Sequence, residues 1–136
     1  MGDVIHGRCL CGGVAFKMQA SDQFGPGLEM GECHCSRCRG WSGASGVPFV
    51  VADAEHLNVT EGQELLTCYE PEGFAPRFFC SRCGTSLYSG SAPTYYVCAG
   101  VLTDLKLSPA FHIQVADKAA WHEIGGDAPQ FAGMPG

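Results

Sequence analysis

The chain is poor in charged side chains, and basic ones are the scarcer kind. Only 16% of its 136 residues are charged, and eight Lys and Arg stand against fourteen Asp and Glu, which gives a net charge of -6. Contact with nucleic-acid phosphates requires a basic face, which an acidic chain of this composition does not suggest. We therefore expect no nucleic-acid partner.

Long apolar runs are also missing. No segment approaches the roughly 18 apolar residues that a membrane helix requires, so we expect no membrane partner. The first six residues lack the basic and apolar regions of a secretory signal. Nine cysteines without such a signal indicate a reducing compartment, where cysteines bind metals instead of pairing. We predict a cytoplasmic protein, and no pattern predicts its oligomeric state.

Helical periodicity is equally scarce, and no stretch predicts a convincing helix of ten residues. Short runs of β-branched and aromatic residues alternate with Gly and Pro, which is typical of an all-β protein. We predict one domain over residues 1–136, with an irregular tail over about 122–136. A loop is expected over 21–27 and one helical turn over 53–56. Strands are predicted over residues 14–18, 28–32, 47–51, 65–69, 86–88, 95–101 and 111–115.

What the chain has in abundance is cysteine, most densely in a C-x-C-x-x-C motif at Cys33, Cys35 and Cys38. Thiolates spaced this closely predict a soft-metal site, with zinc as the default ion. Three ligands leave one of the four positions of a tetrahedral ion without a ligand. A fourth ligand from elsewhere would make the site structural, whereas an open position would make it catalytic.

Four further cysteines form two short pairs, Cys9 with Cys11 and Cys80 with Cys83. Joined, the pairs would make one closed four-cysteine site that stabilises the fold, although the spacing permits other pairings. The remaining cysteines, Cys68 and Cys98, stand alone in strand-like segments. Each is either a buried apolar residue or a fourth ligand or redox group.

All five arginines lie beside cysteine motifs. Arg37 and Arg39 are candidate contacts for the carboxylates of an anionic substrate, and compensation of thiolate charge is the alternative for both. The other three are better explained as compensation for thiolate charge: Arg8, Arg77 and Arg82.

Histidines and hydroxyls offer candidate proton donors. His34 lies inside the C-x-C-x-x-C motif, where it either shapes the loop or donates a proton. Ser36 and Ser42 are alternative donors, as is solvent. His112 and His122 are more typical of structural histidines.

Four motifs in order resemble a known family. They are G-x-C-x-C-G-x-V-x-F at residues 7–16, C-H-C-S-x-C-R at 33–39, F-C-x-x-C-G-T-x-L at 79–87 and H-I-x-V-x-x-K-x-x-W at 112–121. Together they resemble the glutathione-dependent formaldehyde-activating enzyme family, which is related to centromere protein V.

This resemblance implies an all-β fold of several coiled antiparallel sheets, shared with zinc-binding Rab accessory factors. It also implies two zinc ions. The structural ion would be held by Cys9, Cys11, Cys80 and Cys83, and the catalytic ion by Cys33, Cys35 and Cys38.

The activity implied by the resemblance is that of a carbon–sulfur lyase. Glutathione and formaldehyde would combine reversibly into S-(hydroxymethyl)glutathione, with the thiolate as nucleophile. Two alternatives remain: an enzyme for another small thiol and aldehyde, and a non-catalytic, zinc-stapled binding module.

Overall fold

A computed structural model of the protein describes residues 4–21, 29–103 and 105–135. Nine strands and only one α-helix are found in these residues, which confirms the all-β prediction. The strands are β1 (Ile5–Arg8), β2 (Ala15–Ala20), β3 (Met30–Cys33), β4 (Val47–Glu61), β5 (Leu66–Tyr69), β6 (Arg77–Cys80), β7 (Ser86–Ser91), β8 (Thr94–Cys98) and β9 (Pro109–Ile113). The helix α1 spans Ser36–Ser42, and short 3-10 helices span Gln63–Leu65, Ala99–Val101 and Val115–Asp117.

Some predicted elements fall outside the described residues. These include nearly all of the loop predicted over 21–27 and the first position of the strand predicted over 28–32. No helix in the described ranges is long and apolar enough to cross a membrane.

The long strand β4 joins the other strands into one hydrogen-bonded network. The strand order is β1-β2-β4-β8-β7-β6-β5, and β3 pairs with β4 on one side and with β9 on the other. The helical turn predicted over 53–56 is therefore wrong, because these residues belong to β4. The first half of β4 pairs with β8 and the second half pairs with β2. These pairings hold the backbone extended on both sides of residues 53–56.

Alternating side chains on β2 build the main core, as the period of two predicts. Phe16 and Met18 are each 1% exposed, whereas Lys17 between them faces solvent. Leu87 and Val97 from β7 and β8 are fully buried in the same cluster. Each large apolar side chain buried this way contributes about 1.5–3 kcal/mol to stability.

A second, smaller core lies beneath the end of β3. Here β3 and β9 run parallel, and Cys33 pairs with Ile113. Gly31 makes this packing possible, because a Cβ at that position would lie 2.7 Å from the rings of Phe111 and Phe49. The result is a rigid support from which the chain leaves β3 directly into the C-x-C-x-x-C segment.

The C-terminal segment docks on the same support. The His112 N–H donates to the Pro129 carbonyl at 2.8 Å, and the Phe131 N–H donates to the His112 carbonyl at 2.8 Å. Beyond the 3-10 helix at Val115–Asp117, the described chain has no helix or extended strand, so its irregular backbone is held by these hydrogen bonds.

Candidate metal centres and their cavity

The first cluster joins the two separated cysteine pairs. The sulfurs of Cys9, Cys11, Cys80 and Cys83 all lie within 4.8 Å of one another. Cys9 and Cys11 are 3.5 Å apart, and Cys11 and Cys80 are 3.8 Å apart. Bonds of about 2.3 Å to a tetrahedral zinc ion place two sulfurs about 3.8 Å apart, whereas a disulfide requires about 2.05 Å. The donor set therefore fits a closed four-thiolate zinc site.

Tight turns and backbone N–H groups preorganise this cluster. Gly12 follows Cys11 with φ +77°, a conformation that favours glycine. The Gly13 N–H donates to Cys11 Sγ at 3.4 Å, and Arg82 Nε donates to the same sulfur at 3.3 Å. These two donors, Gly13 first, lower the pKa of Cys11. Donation to the sulfur stabilises the thiolate, which is the form that binds a metal.

Thr85 has the same effect on Cys83. The hydroxyl of Thr85 is 3.1 Å from Cys83 Sγ. Hydrogen bonding from Thr85 lowers the pKa of Cys83 to about 5. Both cysteine pairs thus contribute a sulfur that favours the thiolate before any metal binds.

The second cluster consists of Cys33, Cys35 and Cys38, whose sulfurs also lie within 4.8 Å of one another. Cys35 is the N-cap of α1, and its sulfur accepts a hydrogen bond from the Cys38 N–H at 3.4 Å. Hydrogen bonds from the Cys33 and Cys38 thiols lower the pKa of Cys35. The end of β3 and the first turn of α1 therefore present three sulfurs to one point, which fits a thiophilic metal such as zinc.

No protein ligand closes the second cluster within the described ranges. Across residues 4–21, 29–103 and 105–135, no other His, Cys, Asp or Glu brings a ligand atom within 4.8 Å of all three sulfurs. Cys98 is buried on β8, where burial raises its pKa to about 12, and Cys68 lies on β5. Neither lone cysteine belongs to a metal-binding group in the structure. Among the described residues, the cluster thus provides three ligands for a tetrahedral ion and leaves the fourth position open.

The three sulfurs face a cavity of about 460 Å³. Its walls include three aromatic side chains, Trp41, Phe49 and Tyr96. Its charged lining consists of Arg37, Arg77 and Asp117. This volume lies within the range of about 300–1,000 Å³ that is typical of small-molecule sites.

The two arginines predicted to contact a substrate occupy different places. Arg37 lines the cavity, and its guanidinium lies 4.6 Å from the centre of the Phe74 ring. Arg39 is not among the lining residues, and it donates to the His34 carbonyl at 3.3 Å and to the Asp117 carbonyl at 2.9 Å. Arg39 thus ties α1 to the 3-10 helix at Val115–Asp117.

Asp117 strengthens the same connection. Its Oδ2 accepts a hydrogen bond from the Ser36 N–H at 2.7 Å, at the start of α1. This hydrogen bond lowers the pKa of Asp117. Ser36 itself lines the cavity, whereas Ser42 lines a neighbouring groove.

The His34 side chain lies outside the lining of the cavity. It is fully buried, and its Nε2 lies 2.9 Å from His112 Nδ1, which in turn lies 3.4 Å from Glu32 Oε1. Two nitrogens on one zinc ion would be about 3.3 Å apart, so 2.9 Å indicates a hydrogen bond instead. Burial lowers the pKa of His34, which favours the neutral ring. We interpret the hydrogen bond between His34 and His112, with Glu32 beside His112, as a contact that holds the backbone between Cys33 and Cys35.

The sequence offered no signal for Glu32, and it suggested only a structural role for His112. The two residues are register partners in the parallel pairing of β3 with β9. Their contact depends on this long-range pairing, which the local sequence does not reveal.

Arg77 is a cavity residue to which the sequence assigned only charge compensation. It is close in sequence to Cys80, but its Nη1 lies 3.6 Å from the sulfur of Cys38 in the other cluster. Strand alternation could have indicated this arrangement. Residues 77 and 80 are an odd number of positions apart on β6, so their side chains point to opposite faces.

Comparison with known proteins identifies the family of this chain. A sequence model of the glutathione-dependent formaldehyde-activating enzyme family matches residues 4–117. The chain belongs to this family. The resemblance noted from the four motifs is therefore confirmed.

Two individual proteins illustrate the family relationship and the fold. An uncharacterized lyase of Schizosaccharomyces pombe is 32% identical over 83 residues, which cover 61% of this chain. The match spans about half of that relative, 55% of its length. A crystal structure of a Rhodobacter sphaeroides protein superposes with a TM-score of 0.63 at 23% identity, covering 92% of this chain and 98% of the other. This second likeness supports the fold alone.

Proposed function

We propose that the protein is a zinc-dependent carbon–sulfur lyase. In this proposal it reversibly adds a small thiol, glutathione, to formaldehyde and forms S-(hydroxymethyl)glutathione. Family membership and the lyase name of the yeast relative support this reaction class. The observation that carries the proposal is the three-cysteine cluster, which faces a cavity and has no fourth ligand among the described residues.

Each cluster would hold one zinc ion. Cys9, Cys11, Cys80 and Cys83 would hold the structural ion, and Cys33, Cys35 and Cys38 the catalytic one. When bound at the second cluster, zinc would stabilise a substrate thiol as its thiolate near neutral pH. Three thiolate donors weaken Lewis acidity, so this donor set favours thiol binding over the activation of water. All nine cysteines are free, which is consistent with a protein that acts in the cytoplasm.

The cavity residues supply binding and orientation. Arg37 offers a guanidinium for a carboxylate of glutathione, whereas Arg39 acts by fixing α1. The aromatic walls reduce the access of water to the reacting atoms. His34 contributes by holding the segment that carries Cys33 and Cys35, through its hydrogen bond to His112.

The reaction needs one bond to form and one proton to move. The thiolate sulfur attacks the carbon of formaldehyde, a sulfur–carbon bond forms, and the carbonyl electron pair moves onto oxygen. Solvent in the cavity then supplies the proton that completes the hydroxyl group, and the Ser36 hydroxyl, which lines the cavity, is a candidate for relaying it. The reverse reaction follows the same steps backwards.

Two-dimensional exchange NMR at equilibrium tests this proposal. Glutathione and formaldehyde interconvert with their adduct unaided, so the measurement compares exchange rates with and without protein. We expect acceleration by the wild-type protein, loss of acceleration in Cys35→Ala, and no loss in the control Cys68→Ala, which alters a cysteine outside both clusters.

Other outcomes distinguish the alternatives. Acceleration with a different small thiol, but not with glutathione, would keep the reaction class and replace the substrate. Absence of acceleration with every thiol, in protein that holds two zinc ions, would contradict the lyase proposal and favour a zinc-stapled binding module.

A further inference from the structure

Arg77 combines deep burial with incomplete pairing. The residue is 6% exposed, and its guanidinium carbon lies 5.1 Å from the centre of the Trp41 ring and 5.9 Å from the centre of the Phe74 ring. Its Nε is buried and has no hydrogen-bond acceptor among the described residues. A buried cation with an unsatisfied N–H is costly unless an anion completes its surroundings.

No carboxylate among the described residues supplies this anion. Within the described ranges, no Asp or Glu forms an ion pair with Arg77, whereas Arg8 pairs with Glu61 at 3.4 Å and Arg39 lies 4.0 Å from Asp117. The polar contact of Arg77 is with Cys38 Sγ, at 3.6 Å from Nη1. Arg77 is also one of the residues that line the cavity that the three sulfurs face.

The position of Arg77, in the cavity lining and in contact with Cys38, matches the place where charge develops in the proposed reaction. A thiol that completed the three-cysteine cluster would be held close to Cys38, which Arg77 contacts. In the adduct, the former carbonyl oxygen is two covalent bonds from the substrate sulfur. The carboxylates of glutathione are several bonds further away, so they are better placed to reach Arg37, the other arginine of the cavity lining.

We infer that Arg77 is a catalytic residue, which binds the oxyanion on the carbon attached to the substrate sulfur. This inference rests on the proposed function and deepens it. As the sulfur–carbon bond forms and the carbonyl pair moves onto oxygen, the guanidinium donates a hydrogen bond to that oxygen until solvent protonates it. In the reverse direction, Arg77 stabilises the same alkoxide before the sulfur–carbon bond breaks. Removing a single oxyanion donor typically slows an enzyme by about 100- to 1,000-fold.

Simple charge compensation is the competing explanation. If Arg77 only neutralised the thiolates of the cluster, it would affect all thiols alike. If it binds an oxyanion, it distinguishes a thiol that carries an anionic oxygen near its sulfur from one that does not. This difference can be measured without any turnover.

The experiment compares the binding of two small thiols to the zinc-loaded protein by calorimetry. Thioglycolate carries a carboxylate one carbon from its sulfur, and ethanethiol has a methyl group in that place. We expect the wild-type protein to bind thioglycolate about 10-fold more tightly than ethanethiol, because one charge-assisted hydrogen bond contributes about this much to affinity. This preference should vanish in Arg77→Gln and persist in Arg8→Gln, an arginine outside the cavity lining.

A second variant covers the case in which Arg77→Gln does not fold. Arg77→Lys keeps the positive charge but lacks the planar guanidinium with its paired N–H donors. We expect this variant to lose most of the preference for thioglycolate over ethanethiol. We also expect its rate of adduct exchange to fall at least about 10-fold. Circular dichroism and zinc content verify that each variant folds and retains both metals.

Contrary outcomes separate this inference from the proposed function. Equal wild-type affinities for the two thiols would overturn the role of Arg77 and leave the lyase proposal intact. A preference that survives both Arg77 variants but disappears in Arg37→Gln would also overturn it, since Arg37 would then hold the anion. Failure of both thiols to bind the wild-type protein would overturn the proposed function together with the inference.

Discussion

Breaking the four-cysteine cluster should cost the protein most of its stability. Cys80 is completely buried on β6, and its sulfur lies 3.8 Å from that of Cys11 on the turn between β1 and β2. Metal binding at a closed structural site contributes on the order of 10 kcal/mol, and a whole domain is stable by about 5–15 kcal/mol. We therefore expect Cys80→Ser to leave the chain largely unfolded at room temperature.

The three-cysteine cluster should behave differently. Cys33, Cys35 and Cys38 lie within six consecutive residues, so their metal closes only a short loop and joins no distant elements. We expect Cys35→Ser to retain the wild-type circular dichroism spectrum and most of the free energy of unfolding, while losing one zinc ion. Cys68→Ser, outside both clusters, serves as the matched control for the loss of a thiol.

Urea unfolding monitored by circular dichroism, together with zinc analysis of each variant, measures these effects. If Cys80→Ser had the same midpoint of urea unfolding as the wild-type protein, the first cluster would not be structural. If Cys35→Ser unfolded the chain as completely as Cys80→Ser, the division into a structural and a substrate-facing site would be refuted.

Two further predictions concern buried side chains. Burial raises the pKa of Cys98 from 9.0 to about 12, so the thiol of the unfolded chain ionises first as the pH rises. The free energy of unfolding should therefore fall by about 1.4 kcal/mol per pH unit above pH 9 in urea titrations, and Cys98→Ala should reduce this slope; equal slopes would contradict the effect of burial. His112→Leu should lower the free energy of unfolding by about 1–3 kcal/mol, because it leaves Nε2 of the buried His34 without its partner at 2.9 Å. Urea unfolding measures this loss, and an unchanged midpoint would show that the hydrogen bond does not stabilise the fold.

The cysteine clusters could be predicted from sequence because their chemistry is local. Two sulfurs of a C-x-C or C-x-x-C motif must lie close together, whatever fold the rest of the chain adopts. Only the joining of Cys9 and Cys11 with Cys80 and Cys83 is a long-range event. The sequence favoured this pairing, since each pair alone is insufficient for a tetrahedral ion.

Extended structure was harder to delimit. The buried strand predicted over residues 47–51 is only the first part of β4, which continues to Glu61. Its second part is mostly exposed, and pairing with β2, not local propensity, keeps it extended. The helix α1 escaped prediction because it is only seven residues long, contains Gly40 and has no buried residue.

The surroundings of the candidate site depended even more on tertiary structure. Arg77 reaches Cys38 across 39 positions of sequence, and His34 meets His112 across 78. The local sequence does not identify the partner in either contact, although strand alternation indicates that Arg77 and Cys80 point to opposite faces of β6. Charge and residue type could nominate arginines and histidines near the cysteines, but only the fold shows which of them enter the cavity.

The most direct test of the account asks whether the three-cysteine cluster accepts a thiol from solution. Cadmium prefers thiolate ligands and resolves the two sites as separate signals in ¹¹³Cd NMR of the cadmium-loaded protein. Before thiol is added, we predict one resonance typical of four sulfur ligands and one typical of three. Added glutathione should move only the second resonance toward the first, and Cys35→Ala should abolish that shift. Two four-sulfur resonances from the outset, both unchanged by glutathione, would contradict the account.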